Sequence, residues 1–167
     1  MLNRIHAHFS RYIPLYLWLI VGCTAFGRSY AISFNFSNSL PGTVFLLEKR
    51  LGLTPVRGET IAFLYEGGAF YGKGAVFVKI VKGLPGSTVA SRQIEIGYHD
   101  YFVDGVFVGR TKPYSQTGIP IKRATVGIIP EDHYYLAATH PDSLDSRYEL
   151  VGWVRRDQII GRAYRVF

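Results

Sequence analysis

Residues 101–108 read YFVDGVFV, a stretch that predicts two β-strands joined by a tight turn. The dipeptide Asp104-Gly105 tolerates the positive φ angles of a type I′ turn. Similar runs rich in Val, Ile, Phe and Tyr, separated by glycine and proline, recur along the chain. They predict strands at residues 43–47, 60–64, 76–81, 87–91, 93–96, 101–103, 106–108, 125–129, 134–138 and 159–166. Because helical periodicity of any length is absent after residue 30, the sequence predicts a mainly β fold of antiparallel sheets.

The composition fits one folded domain without a cofactor. The chain has 167 residues and a net charge of +7, from 19 Lys and Arg against 12 Asp and Glu. A single cysteine, Cys23, excludes an intrachain disulfide and a cysteine-based metal cage. Histidines 99, 133 and 140 lack metal-ligand spacing, so neither a metal nor another cofactor is expected. The basic residues form no stripe and no helix-turn-helix is evident, which argues against a nucleic-acid partner and favours an anionic membrane surface.

The N-terminal segment predicts a membrane anchor. Residues 12–27 read YIPLYLWLIVGCTAFG and carry no charge, whereas residues 1–11 hold two arginines and no acid. As a helix the uncharged run measures roughly 24 Å, slightly less than the ~30 Å of a bilayer core, but the long stem of Arg28 can snorkel to the interface. The positive-inside rule then predicts a basic cytoplasmic terminus (1–11), a membrane anchor or signal segment (12–33) and a periplasmic domain (34–167), as in a single-pass protein of the bacterial inner membrane.

Other interpretations of this segment stay open. It also fits a secretory signal peptide that is removed after export. The residues Ile20-Val21-Gly22-Cys23 resemble a bacterial lipobox, in which the cysteine is lipidated and becomes the new N-terminus. A buried helix of a soluble domain is the fourth interpretation, although nothing else in the chain predicts a helix for it to pack on. The three export interpretations agree that residues beyond about 30 lie outside the cytoplasm.

Four segments resemble, in order, the motifs of the bacterial signal peptidase I family. They are FSNSLP at 36–41, VKIVKGLPG at 78–86, DSLDSRY at 142–148 and GRA at 161–163. In that family the catalytic lysine lies four residues before the glycine of Gly-Leu-Pro-Gly, which corresponds to Lys79 and not to Lys82. The nucleophile corresponds to Ser39. The resemblance implies an antiparallel β fold with its active site near the outer face of the bilayer.

Two departures from the general enzyme point to one branch of the family. Residues 137–139 are Ala-Ala-Thr, where the general enzyme has Gly-Asp-Asn, and Leu40 stands directly before Pro41-Gly42. A serine followed by one apolar residue, proline and glycine is similar to the TraF-type conjugative transfer peptidases, which mature pilin precursors. The chain also lacks a second anchor and large insertions, as that branch does.

The chemistry of a serine and a lysine can be argued from the residues themselves. A serine hydroxyl is a poor nucleophile and needs a base, and no His-Asp pairing is evident near Ser39. Lysine can act as this base only when it is neutral, so its reference pKa of ~10.4 must fall by several units, as burial in an apolar site achieves. The apolar neighbours of Lys79 at residues 76–78, 80 and 81 predict such a site. Taken singly, Ser39 also fits an ordinary serine in a turn, and Lys79 also fits a strand lysine whose side chain points to water.

The resemblance also implies roles for five further groups. The backbone N–H of Ser39 and the hydroxyl of Ser37 would stabilise the oxyanion. Ser143 corresponds to the serine that orients the lysine. Asp145 and Arg147 correspond to a structural ion pair. By their closeness in sequence, Phe36, Leu40 and Val78 are expected to line a shallow apolar surface that accepts small residues at positions −1 and −3 from the cut.

The sequence therefore predicts a membrane-anchored serine endopeptidase with a Ser/Lys dyad that cleaves leader peptides from exported precursors, with a conjugative pilin as the favoured substrate. Expected partners are the leader-bearing precursor, membrane lipid and a conjugative transfer apparatus. General signal peptidase I is the second enzymatic hypothesis. A Ser/Lys self-cleaving repressor is a third, but the chain has a hydrophobic segment where such proteins have a DNA-binding one. The hypothesis from another class is a non-catalytic, membrane-tethered β scaffold of a secretion apparatus.

Overall fold

A computed structural model describes residues 2–35 and 39–167. These residues form a long helix, α1 (Leu2–Ser29), a short 3-10 helix (Arg156–Gln158) and a series of strands. The strands are β1 (Tyr30–Phe34), β2 (Val44–Lys49), β3 (Thr60–Leu64), β4 (Val76–Gly83), β5 (Thr88–Glu95), β6 (Tyr98–Val103), β7 (Val106–Thr111), β8 (Gly127–Ile128), β9 (His133–Ala137), β10 (Val154–Arg155) and β11 (Ile159–Arg165).

The strands form two antiparallel sheets, which confirms the predicted mainly β fold. A seven-stranded sheet has the order β1-β2-β11-β3-β4-β9-β10, and a four-stranded sheet has the order β7-β6-β5-β8. The turn between β6 and β7 has positive φ angles at Asp104 (48°) and Gly105 (78°), as the sequence predicts for a type I′ turn. The Asp104 carboxylate accepts a hydrogen bond from the backbone N–H of Thr88 (2.7 Å) and thereby ties this turn to β5.

Several strand boundaries differ from the prediction. The strand β5 (Thr88–Glu95) replaces the two predicted strands at residues 87–91 and 93–96. Its register with β6 shifts between Gln93 and Glu95, and such an irregularity breaks the alternation that sequence reasoning follows. The predicted strand 125–129 is reduced to β8. The edge strands β1 and β10 were missed. The uncharged residues of β1 continue the apolar run before them, so the prediction assigned them to the anchor, whereas the structure pairs them with β2.

The helix α1 precedes the sheets and exposes its apolar side chains. Leu17, Trp18 and Ile20 are each more than half exposed. Among the described residues, no helix combines the length and the apolarity that crossing a membrane requires. The structure therefore does not support the predicted transmembrane helix.

Three apolar clusters hold the sheets together. One packs β3, β4, β9 and β11 around Ile61, Phe63 and Leu136. The second joins Leu40, in the turn before β2, to Ala62 and Ala138. The third packs side chains of β5 and β6 against Tyr135 and Ala137 of β9 and so docks the four-stranded sheet on the seven-stranded one. The second cluster anchors the chain beside Ser39.

Candidate active site

Ser39 lies in a turn that the main chain and one buried neighbour hold in place. Its side chain is 8% exposed, and its carbonyl accepts a hydrogen bond from the backbone N–H of His140 (3.3 Å). Leu40 follows and is buried in the core. The predicted oxyanion residue Ser37 and the predicted lining residue Phe36 lie outside the described residues.

Lys79 lies in the middle of β4, inside the seven-stranded sheet. It is opposite Ile61 of β3, and the next residue, Ile80, is opposite Ala137 of β9. Only 5% of Lys79 is exposed. Its Nζ donates a hydrogen bond to the Ser143 hydroxyl (2.8 Å) and lies 5.6 Å from the centroid of the Phe77 ring. The predicted strand lysine therefore points into the protein and not to water.

Burial lowers the pKa of Lys79 to about 8. Loss of solvent is the largest cause, because a low-dielectric environment disfavours the charged ammonium. Arg147 lowers this pKa further by like-charge repulsion, whereas the carboxylate of Asp145 opposes the shift. At pH 7 roughly a tenth of such lysines are neutral, and at pH 8 about half are. The apolar flanks thus produce a lysine that is able to accept a proton near neutral pH.

Hydrogen bonds to its backbone N–H and to its carbonyl hold Ser143 in place beside Lys79. Its backbone N–H donates to the carbonyl of His140 (3.2 Å), and its own carbonyl accepts from Nη2 of Arg147 (3.2 Å). The side chain is buried, with 4% exposure. Since the main chain of Ser143 cannot shift freely, its hydroxyl fixes the position of the lysine Nζ.

Asp145 and Arg147 form a fully buried, bidentate ion pair behind Ser143. Nε donates to Oδ1 (2.8 Å) and Nη2 to Oδ2 (2.9 Å). The same carboxylate accepts from the backbone N–H of Ala138 (3.1 Å), and Nη1 of Arg147 donates to the carbonyl of Arg110 in β7 (3.1 Å). A Cβ on the neighbouring Gly109 would lie 2.5 Å from Nη1. The pair therefore joins the Ser143 loop to both sheets, and only glycine fits beside it.

Ser39, Lys79 and Ser143 line one cleft of about 660 Å³. Leu40 and Val78, two of the three residues expected to contact the substrate, line the same cleft. The structure thus brings together the predicted nucleophile, the predicted base and the predicted orienting residue, although 104 positions separate the first from the last in sequence.

A polar cluster at the cleft was missed by sequence reasoning. The carboxylate of Asp142 accepts hydrogen bonds from Nζ of Lys112 and from Nε2 of Gln116 (2.9 Å for the second), and all three residues line the cleft. The lysine bond holds the pKa of Asp142 below its ordinary value. No local signal in the sequence joins these residues, because 26 to 30 positions separate the partners.

One edge of β4 is open beside the cleft. Residues 76–80 pair with β3 on one side, whereas β9 pairs on the other side only with Ile80, Val81 and Gly83. Within residues 2–35 and 39–167, no other strand pairs with the remaining edge at residues 76–79. An exposed strand edge is a template for an added peptide strand, and this one ends at Lys79.

The described residues contain no group of three or more His, Cys, Asp or Glu side chains that could hold a metal ion. A family model described as signal peptidase, peptidase S26, matches residues 5–167 of the chain. The match covers both sheets and the whole cleft. No curated protein matches the chain.

Proposed function

Since the chain belongs to the signal peptidase family, peptidase S26, we propose that it is an endopeptidase with Ser39 as nucleophile and Lys79 as general base. Members of this family are serine peptidases that act on precursor proteins with leader peptides. The observation that carries the proposal is the buried Lys79, held by Ser143 at 2.8 Å in the cleft that Ser39 also lines.

The proposed reaction uses the side chains of Ser39 and Lys79 and one water molecule. Neutral Lys79 removes the proton from the Ser39 hydroxyl as its oxygen attacks the carbonyl carbon of the scissile bond. The C–N bond then breaks, and the lysine returns the proton to the leaving amine. Water hydrolyses the resulting acyl ester in a second round of the same proton transfer. By analogy with the family, the backbone N–H of Ser39 and the Ser37 hydroxyl stabilise the oxyanion.

We expect the rate of cleavage to rise with pH as Lys79 loses its proton. In a plot of log kcat/KM against pH, the acidic limb should bend near pH 8, the pKa of the lysine in the folded protein. Because folding lowers this pKa from 10.5, this group stabilises the folded state progressively as pH rises from about 8 to about 10.5. Below about pH 8 the lysine is protonated in both the folded and the unfolded state, so its contribution to stability is constant there and does not account for the rise in rate. A flat profile between about pH 6 and about pH 9 would contradict the role of Lys79.

The open edge of β4 supports binding of the substrate as an added strand. In such a strand alternate side chains face the same surface, so positions −1 and −3 of the leader both face the cleft wall that Leu40 and Val78 line. We expect cleavage after alanine or another small residue, with a second small residue at −3. A bulky residue would displace the carbonyl from Ser39, and a shift of ~1 Å costs about 100-fold in rate. Charged residues would be buried without a partner.

The measurement is a substitution series at −1 and −3 of a natural precursor, with cleavage followed by gel shift. Matched substitutions at −2, whose side chain faces away from the cleft wall, are the control. Efficient cleavage with Leu, Phe or Lys at −1 would show that the surface is not the small apolar one proposed.

Pilin maturation in conjugation is the more specific proposal, and the spacing Ser39-Leu40-Pro41-Gly42 supports it. General signal peptidase I is the second candidate and is favoured by the family match alone, which does not distinguish the two. Mass spectrometry of candidate pilins from cells with and without Ser39 separates them. Processing of a pilin alone supports the first, and loss of processing in many unrelated preproteins supports the second. The same spectra report whether the product is linear or cyclic.

The location of the peptidase domain in the periplasm stays a prediction. The basic N-terminus followed by an uncharged run supports export. A reporter enzyme that is active only after export, fused after Phe167, is expected to be active in cells. A second reporter enzyme, which is active only in the cytoplasm and is fused at the same position, is the matched control. Activity of the cytoplasmic reporter alone would reverse the predicted topology.

A further inference from the structure

The turn that follows Ser39 is clamped between two stretches of main chain. On one side Asn35 donates from its side chain to the carbonyls of Leu40 and Gly42 (3.0 Å each). On the other side the carbonyl of Phe167 accepts hydrogen bonds from the backbone N–H of Thr43 (2.7 Å) and of Val44 (3.3 Å). The residues that follow β11 therefore hold the chain four positions after Ser39.

Gly42 shows how closely these stretches approach. Its φ angle is +113°, and a Cβ built on it would lie 2.6 Å from Cδ of Arg165 and 2.7 Å from the carbonyl oxygen of Phe167. A side chain at this position would separate the turn from residues 165–167. The glycine after Pro41 is thus required for contact with the end of β11 as well as for its own backbone conformation.

The contribution of residues 166 and 167 comes from their main chain. Their side chains are 51% and 77% exposed, whereas the N–H of Val166 donates to the carbonyl of Val44 (2.9 Å). The last residue pair in the register of β11 with β2 is Arg165 with Phe45. Residues 166–167 continue this ladder only by their main-chain hydrogen bonds to Thr43 and Val44. They can therefore be removed without disturbing the paired part of the sheet.

We propose that Val166 and Phe167 are positioning residues of the peptidase, whose main-chain bonds to Thr43 and Val44 hold Ser39 in place at the cleft that Lys79 also lines. The proposal rests on the proposed function of the Ser39 and Lys79 dyad. Loss of these bonds frees the turn at Thr43, and a displacement of the nucleophile by ~1 Å lowers the rate about 100-fold. The lysine itself is unaffected, because β4, Ser143 and the buried ion pair hold it.

The test compares the full chain with a variant that ends after Arg165 and with the double variant V166A/F167A. We expect the shortened protein to lose about 10- to 100-fold in kcat, with KM within about 3-fold and the acidic limb of the pH profile still near pH 8. The double alanine variant keeps the main chain, so its kcat is expected to stay within about 3-fold of the value for the full chain. A general structural defect would instead move the pH profile or the melting temperature together with kcat.

Hydrogen exchange of the Thr43 and Val44 amides gives a measurement that does not depend on catalysis. Both amides should exchange faster in the shortened protein and at the original rate in V166A/F167A. Unchanged kcat after shortening, or a double alanine variant as slow as the shortened one, would overturn the proposal. Failure of the proposed function appears differently, as a full chain that cleaves no leader peptide or cleaves without Ser39.

Discussion

Replacement of Ser39 by alanine is expected to lower cleavage of a leader-bearing precursor by about 10⁴-fold or more, because a dyad acts as a unit. Lys79→Ala should have a similar effect, because it removes the proposed general base, whose Nζ donates to Ser143 in the cleft. Lys79→Arg should fail as well, because a guanidinium stays protonated at any pH at which the protein is folded. The measurement is a gel shift of the precursor with purified protein.

Lys82→Ala is the matched control, because Lys82 lies on the same strand as Lys79 but does not line the cleft. It should keep nearly full activity. Circular dichroism of each variant verifies that the fold is intact. A folded Lys79→Ala protein that still cleaves would remove the dyad, and a folded Ser39→Ala protein that fulfils its cellular role would favour the non-catalytic scaffold.

Arg147→Met is expected to lower the free energy of unfolding by about 3 to 5 kcal/mol, because it leaves the Asp145 carboxylate buried without its ionic partner. Asp145 is fully buried and Arg147 is 1% exposed, so water cannot replace the lost bonds. Activity should fall with stability, since the Ser143 loop loses the bond from Nη2 to its carbonyl. Urea denaturation followed by circular dichroism measures the change.

The exposed pair of Lys122 and Glu149 supplies the control for this change. Its atoms are 3.9 Å apart and its side chains 86% and 61% exposed, so Lys122→Met should leave the denaturation midpoint almost unchanged. The double variant Asp145→Leu with Arg147→Met should be less destabilised than the sum of its single changes. Equal effects of Arg147→Met and Lys122→Met would show that the buried pair is not the support proposed for the site.

The parts of the fold that depend on local chemistry could be predicted from the sequence. Asp104-Gly105 predicts its turn because the two positive φ angles belong to those residue types. Lys79 is conspicuous because its charge interrupts the apolar run of residues 76–81. Ser143 could not be found from its own neighbourhood, where a serine in a polar loop is ordinary. Only the order of motifs along the chain indicated it.

Contacts between distant parts of the chain escaped prediction. The carbonyl of Phe167 holds Thr43 through main-chain atoms, which leave no trace in side-chain type. Asp142 meets Lys112 only because two loops converge at the cleft. The strand β1 was assigned to the anchor, since uncharged residues suit a sheet edge as well as a lipid-facing helix. In each case the tertiary arrangement decides between local possibilities that are equally acceptable.

The strand β11 lies between β2 and β3, and this position has a consequence for when the proposed site is completed. A ribosome adds ~5–20 residues per second, so Ser39 and Lys79 are both made several seconds before residues 159–165. Until those residues emerge, β2 and β3 lack the strand that joins them, and such long-range pairings form late. The growing chain therefore carries both reactive groups without a working site. If Ser39 and Lys79 form the proposed dyad, we expect the chain to cut neither other proteins nor itself during its own synthesis.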